Sequence, residues 1–480
     1  MLLLAGLALA VHAAGPALLV RHALLLTLAP GRPAAFPGYL TVGSDGRLLQ
    51  VAAGEPPTDL AAAETVDAGG AIVAPGFISA HSHLFMSPLR GIGHTETLYG
   101  WGRALEPLLS RATAEDIYWF TLHGSLDFLR NGITTAYDFT NSGVVGGQAV
   151  GVGEKVAPPT LRPGPWEENQ LRAKVDAGLR FIDSAGLPRV GSREEIIARF
   201  EGILAFAQKE FGGNPLFLKM AISGGLQRAP TKETAWLEAG LMKKHGLLNQ
   251  AHFLESPERV AEQQAKFDWY EEAGALGPGF IFGHFIQTTP DLVRRAAAAG
   301  AAMSWQPASN SRLASGVADI VAYRAAGLRV AVGLDDQSCT DIADPFENLR
   351  IGLALIRTRY KDAKVLSVAD MLYLHTLGSA EVLGIADKVG SLEPGKFADF
   401  LIVDPRSPDT GPLHDPVASY VLACGLRNLK RVYVGGRLVA AGDILPGADE
   451  ARVRAEVDAR IARLQAEAGL MVVPAVPSVP

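Results

Sequence analysis

Ala71–Arg90 reads AIVAPGFISAHSHLFMSPLR, an apolar, strand-like run that ends in His81-Ser82-His83. Side chains alternate between the two faces of a strand, so two histidines spaced by two project the same way from its end. Such a pair can chelate a metal ion, and two packed or surface histidines would show the same spacing. The surrounding chain has to discriminate between these readings.

Downstream, strands and helices alternate. Thr113, with Asp116 three residues on, caps a helix that runs to Arg130 and stops at Asn131-Gly132. ITTAYDF is the second strand, LRFID from Leu179 the third and LFLKMAI from Leu216 the fourth. Ser192 and Glu195 form a capping box before a helix ending near Phe211. Helices from about Lys232, from about Pro257 and over Thr289–Ala299 lead to LLNQAHF, GFIFGHF and AAMSWQ, and a shorter helix leads to RVAVGLD. Eight strands with helices between them predict an α/β protein with a (β/α)8 TIM barrel over residues 75–391. No glycine-rich phosphate fingerprint follows a strand, which argues against an open nucleotide-binding sheet. Gly143–Pro165 is too broken by glycine and proline for a core element and is expected to be a long loop.

Both ends of the chain have a different texture. Short β-prone pieces fill residues 17–74, with Ser44-Asp45-Gly46 as a hairpin turn; GKFADFLIVD and LKRVYVGGRLVAAG, turning at Gly435-Gly436, repeat the pattern within residues 392–445. These two segments predict one small composite β-sandwich. In residues 446–480, Ala451–Ala468 reads as a helix packed on the barrel exterior and MVVPAVPSVP as a loose tail.

With 480 residues, 48% hydrophobic and 20% charged, the chain has the make-up of a globular enzyme. A formal charge of -6 gives no electrostatic case for nucleic acid or an anionic membrane, leaving a small-molecule partner; self-association is left open. Cys339 and Cys424 lie far apart with no metal-knuckle spacing and read as free thiols. Residues 1–16 contain a short apolar run with small residues after it, as in an export signal, but no lysine or arginine precedes Arg21. Cytoplasmic and periplasmic or secreted locations therefore both stand, and the run is too short to cross a bilayer.

Barrel active sites sit at the C-terminal ends of the strands. His81 and His83 end the first strand, His252 the fifth, His284 the sixth and Asp335 the eighth, so four of the eleven histidines fall at such ends. Three imidazoles and a carboxylate can hold zinc with a position left for water, whose pKa falls from ~16 to about 7 when bound. Glu255, three residues after His252, is placed to shuttle a proton to a substrate nitrogen. His94, in the loop after the first strand, is a further candidate for the mouth of the site, with Tyr99, Trp101, Asn310, Arg312 and Gln337 as possible lining residues.

APGFISAHSHL, AHFLES, FGHF, WQPASNSRLASG, VGLDD and VGSLEPGKFADFLIVD resemble the amidohydrolase superfamily, and within it the branch of S-adenosylhomocysteine and guanine deaminases and triazine hydrolases. The resemblance extends over about Ala17–Ala441. It implies that the barrel is distorted, that both chain ends build the sandwich, and that one divalent metal, usually zinc, is held by His81, His83, His252 and Asp335. It also implies that Glu255 shuttles protons, that His284 orients the nucleophile or substrate, and that Asp335 accepts a proton from the metal-bound water.

The expected activity is hydrolysis of a non-peptide carbon–nitrogen bond, with deamination of a nitrogen heterocycle by metal-bound hydroxide as the leading case. Three departures from the family pattern bear on this. Gly333-Leu334-Asp335-Asp336 stands where the branch usually has Gly-Thr-Asp-Gly, LKMAISGGLQ replaces a Pro-His motif at the fourth strand, and Gly143–Pro165 has no counterpart. Lys219 in that fourth strand is similar to the carboxylated lysine of binuclear peptidase-like relatives, so a two-metal amidase or dipeptidase is the alternative. A catalytically inactive binding protein is a further one, disfavoured by the complete ligand set.

Overall fold

The computed structural model describes residues 15–146 and 158–470. The apolar start of the chain, the middle of the Gly143–Pro165 segment and the proline-containing tail lie outside the described residues. Within that segment, Val144–Val145 and Thr160–Leu161 pair as a short antiparallel ladder, so its two ends come together.

Eight parallel strands form one sheet in chain order: β1 (Phe77–Ser82), β2 (Ile133–Phe139), β3 (Arg180–Gly186), β4 (Phe217–Gly224), β5 (Leu248–Phe253), β6 (Phe280–His284), β7 (Ala302–Trp305) and β8 (Arg329–Val332). The sheet closes just beyond β8, where the Leu334 amide donates to Ser79 Oγ at 3.0 Å and the Asp335 amide to the His81 carbonyl at 2.9 Å. Inward residues such as Ile78, Tyr137, Ile182, Ala221, Ile281, Ala302 and Ala331 fill the interior, so the barrel is a packed core. Leu383, Ile385 and Val389, after helix Leu377–Val382, close the end opposite the histidines.

The predicted helices are present, with reciprocal capping boxes at Thr113/Asp116 and Ser192/Glu195. The helix expected from Pro257 instead begins at Val260, because Ser256–Arg259 forms a turn with Arg259 in the left-handed region (φ 59°). Helix Glu450–Glu467 docks on the outside of Ala114–Arg130, where Arg460 and Arg463 pair with Asp116.

Both chain ends enter one second sheet, in the order Arg437–Ala441, Leu429–Val434, Phe400–Val403, Ile72–Pro75, Leu18–Leu25, Phe36–Val42, Leu48–Ala53. Along one edge, Leu18–Arg21 pairs with Glu64–Asp67 and Leu24–Leu25 with Ile72–Val73, so the sheet branches at the irregularity around His22. The expected sandwich is thus a single hydrogen-bonded sheet whose distant strands, through Leu40, Leu48, Phe400 and Tyr433, share one core. A buried bidentate pair ties it to the barrel: Arg180 Nε and Nη2 donate to Asp399 at 2.7 and 2.8 Å.

Candidate metal centre

Regular alternation along β1 would send Ile78 and Ala80 into the barrel and His81 out of it. The β1–β2 ladder is interrupted there: Ser79 pairs with Ala136 and Ser82 with Asp138, three residues against two. This bulge reverses the parity, and bulges re-aim side chains in this way next to active sites. His81 and His83 consequently face inward against Phe139, with ring centroids 4.6 and 4.9 Å from it. His252 joins them from the end of β5, with its centroid 4.7 Å from the same phenyl ring.

The Nε2 atom of His83 lies 3.3 Å from that of His81 and 3.0 Å from that of His252. Asp335 Oδ1 stands 3.6 Å from both His81 Nε2 and His83 Nε2. Donors arranged tetrahedrally around zinc at 2.0–2.1 Å are about 3.4 Å apart, so the spacings of His83 to His81 and His252, and of Asp335 to His81 and His83, are close to those of zinc ligands. The protonation states fit as well. Gln250 Nε2 donates to the Ala80 carbonyl at 2.9 Å, which turns Gln250 Oε1 toward His81 Nδ1 as an acceptor and leaves the His81 Nε2 lone pair for a metal. Burial lowers the pKa of His81 to about 4 and holds His83 and His252 well below the ordinary range, in the neutral form that ligates.

Two positions of the site have left-handed backbone that side chains other than glycine seldom adopt, His284 (φ 69°) and Asp335 (φ 66°). The turn at His284 brings its ring to 4.9 Å from His81, and its Nδ1 meets Asn310 Nδ2 at 2.9 Å. Asp335 Oδ2 accepts from Ser309 Oγ at 2.6 Å, and burial with Asp336 next in chain pushes the carboxyl up to about 8. Glu255, 2% exposed, has no hydrogen-bond partner among the described residues at Oε2, which lies 3.6 Å from His284 Nε2. Its pKa is raised well above the carboxylate range, first by burial and then by Asp335.

His81, His83, His252, His284, Asp335 and Glu255 lie together at one end of the barrel, and Asn310 joins them. Of the other candidates, four do not. His94 is exposed, Arg312 holds the Ile92 and Gly93 carbonyls, Trp101 donates to Ser338 O, and Gln337 bonds Gly124 O and Asp127. Tyr99 is half-buried beside Gln263. Lys219 is a correction: it sits early in β4, and its Nζ approaches Gly384 O at 3.3 Å at the closed end of the barrel, so it bridges nothing among the histidines. Three residues escaped the sequence reading. Gln250 was detectable, because it shares a strand face with His252; Phe139 and Ser309 carry no comparable signal.

The amidohydrolase family profile matches residues 72–439. A 5-methylthioadenosine/S-adenosylhomocysteine deaminase of Desulforudis audaxviator is 27% identical, covering 93% of this chain and 99% of that protein. Its counterpart from Bacillus cereus strain AH187 is 26% identical over 87% of this chain and 92% of its own length. Among solved structures, a zinc-bound adenosine deaminase from Xanthomonas campestris superposes with a TM-score of 0.80 at 22% identity, over 94% of this chain and 99% of that one. The zinc complex of an atrazine chlorohydrolase from Arthrobacter aurescens TC1 does so with 0.78 at 20% identity, over 92% and 100%. A profile match across most of the sequence, on a barrel of this topology, means that the chain belongs to the amidohydrolase family.

Proposed function

We propose that this protein is a hydrolytic deaminase of nitrogen heterocycles that works with one divalent metal, zinc in the first instance, held by His81, His83, His252 and Asp335. The carrying observation is the buried Glu255 carboxyl, unpartnered at Oε2 among the described residues and 3.6 Å from His284 Nε2 beside the cluster of imidazoles. The deaminase names of the full-length relatives support the same reading. When bound, the metal would supply a Lewis acid and a water acidified to near neutral pH.

The chain's own residues do the rest. Gln250 keeps His81 Nε2 deprotonated, and Ser309 fixes the Asp335 carboxylate through Oδ2. Asn310 Nδ2 faces His284 Nδ1, which leaves a hydrogen on Nε2, directed toward Glu255 and Asp335 at 3.6 and 3.9 Å. That N–H orients the attacking water or the substrate. Glu255, kept protonated by burial, delivers a proton to the ring nitrogen as the carbon is attacked; of the two protons of the attacking water, one passes through Asp335 to the departing amine, which leaves as ammonia, and the other restores Glu255 as the carbonyl forms. The separation of Lys219 from the imidazoles removes support for the two-metal amidase.

The test is ammonia release by zinc-loaded protein offered aminopurines, aminopyrimidines, aminotriazines and N-acyl compounds. Glu255→Gln should abolish turnover, by about 100-fold or more, and leave zinc content near normal. A Glu255→Gln variant with wild-type rate would overturn the assigned role, and release only from N-acyl compounds would overturn deamination.

A further inference from the structure

The bulge that turns His81 and His83 inward also takes them off the regular β1–β2 ladder, so side chains have to fix what the ladder does not. On the near side of the pair, Ser79 Oγ donates to the His81 carbonyl at 2.9 Å. On the far side, the backbone leaves His83 as the first turn of the 3-10 helix Leu84–Leu89, whose leading amides have no partner within the helix. Asp138 Oδ1 caps it, accepting the Leu84 amide at 2.9 Å.

Asp138 is held in turn from outside the barrel. Lys174 Nζ donates to Asp138 Oδ2 at 2.6 Å and also to Asp183 Oδ1, and all three side chains are completely buried. Lys174 lies on helix Trp166–Ala177, with Gln170 one turn earlier on the same face. Gln170 clamps both backbone groups of Asn141, accepting from its amide and donating to its carbonyl at 2.9 Å each. The end of β2 is thereby gripped on both sides of Phe139, the ring that three histidines pack against.

From this connection we infer that Lys174 and Asp138 are positioning residues for the metal centre: the buried Asp138–Lys174–Asp183 pairing sets the seat of His83. This inference rests on the metal-site reading above. A buried lysine between two carboxylates can be a stabilising device and nothing more. The difference here is the direct bond from Asp138 to the residue that follows His83.

The experiment measures zinc affinity by chelator competition, and visible absorption after cobalt substitution, on the full chain. Asp138→Leu removes the cap, and Lys174→Met removes its support. Both should weaken zinc at least about tenfold and alter the cobalt spectrum in the same way. Asp138→Asn keeps an acceptor for the Leu84 amide and should lie closer to wild type on both readouts. Should Lys174→Met fail to fold, Lys174→Met/Asp183→Asn removes one charge of each sign and is expected to show the same loss. Zinc affinity within twofold of wild type and an unchanged cobalt spectrum in Asp138→Leu and the lysine variant would overturn the inference while the metal-site reading stands. Equal damage by Asn and Leu at position 138 would overturn the capping role. A wild-type protein that takes up neither metal overturns both readings.

Discussion

The backbone amide of Asp335 donates to the carbonyl of His81 at 2.9 Å, joining the end of the last barrel strand to the end of the first. Barrel closure and assembly of the site are therefore one event, since each partner in this bond also carries a side chain of the candidate metal shell. The approach is possible because position 333 is glycine. A Cβ there would lie 2.8 Å from both the Cβ and the backbone nitrogen of His81.

Gly333→Ala should therefore force the seam apart. A destabilisation of about 1–3 kcal/mol is expected, as for other overpacked sites, together with weaker zinc binding. Denaturant melts of the metal-free protein and chelator competition measure the two effects. An alanine variant with wild-type stability and affinity would show that the seam tolerates the extra carbon.

Gln250 makes no contact with the metal position but dictates which nitrogen of His81 is free. Gln250→Leu keeps the approximate volume and removes both hydrogen bonds. Zinc affinity should fall about 10–100-fold, the usual range for loss of a partner behind a ligand. Isothermal titration with zinc decides it, and an unchanged dissociation constant would mean that His81 is held by its packing alone.

The barrel was legible because its strands are separated by helices with readable caps, and the candidate ligands because each lies at or shortly after the end of a strand. Periodicity along β1 does not predict which way His81 faces. The bulge at Ser79–Ser82 is set by contacts with β2, β5 and β8 that are far away in sequence. For the same reason Asp138, Lys174 and Asp183 had no signature: three charged residues on β2, a helix and β3 read as ordinary polar positions until the fold buries them together. The branch in the second sheet was likewise out of reach, since one strand, Leu18–Leu25, serves partners from two later segments. Lys219 shows the opposite failure, in which a motif-like residue at the correct strand sits at the wrong end of it.

His375 makes stability depend on pH from outside the candidate metal centre. It is fully buried, with Nδ1 on the Ile78 carbonyl at 2.9 Å and Nε2 on Asn348 Nδ2 at 3.1 Å, and burial lowers its pKa to about 4. In the unfolded chain the ring titrates near 6.5. Between those values the unfolded state binds more protons, so stability is fully present above pH 6.5 and is lost as pH falls toward 4, by roughly 3 kcal/mol. His375→Gln should be less stable than wild type at pH 7.5 and show a shallower loss on acidification. Parallel stability–pH curves for the two proteins would remove His375 from the account.

Lys219 offers the sharpest test of metal number. It lies five residues before the end of β4, which at roughly 3.3 Å per residue is about 16 Å along the strand. Burial, with Lys388 adding to it, lowers its pKa to about 8, so its amine is partly neutral near physiological pH. That property invites comparison with a carboxylated bridging lysine, yet its surroundings are Gly384, Asp387 and Lys388 instead of imidazoles. Lys219→Ala should leave zinc content at one per chain and ammonia release within about twofold of wild type, the behaviour of a substitution remote from the chemistry. Metal analysis after dialysis reads the outcome directly. A wild type holding close to two metals that are both lost in the alanine variant would restore the bridging lysine and, with it, the amidase.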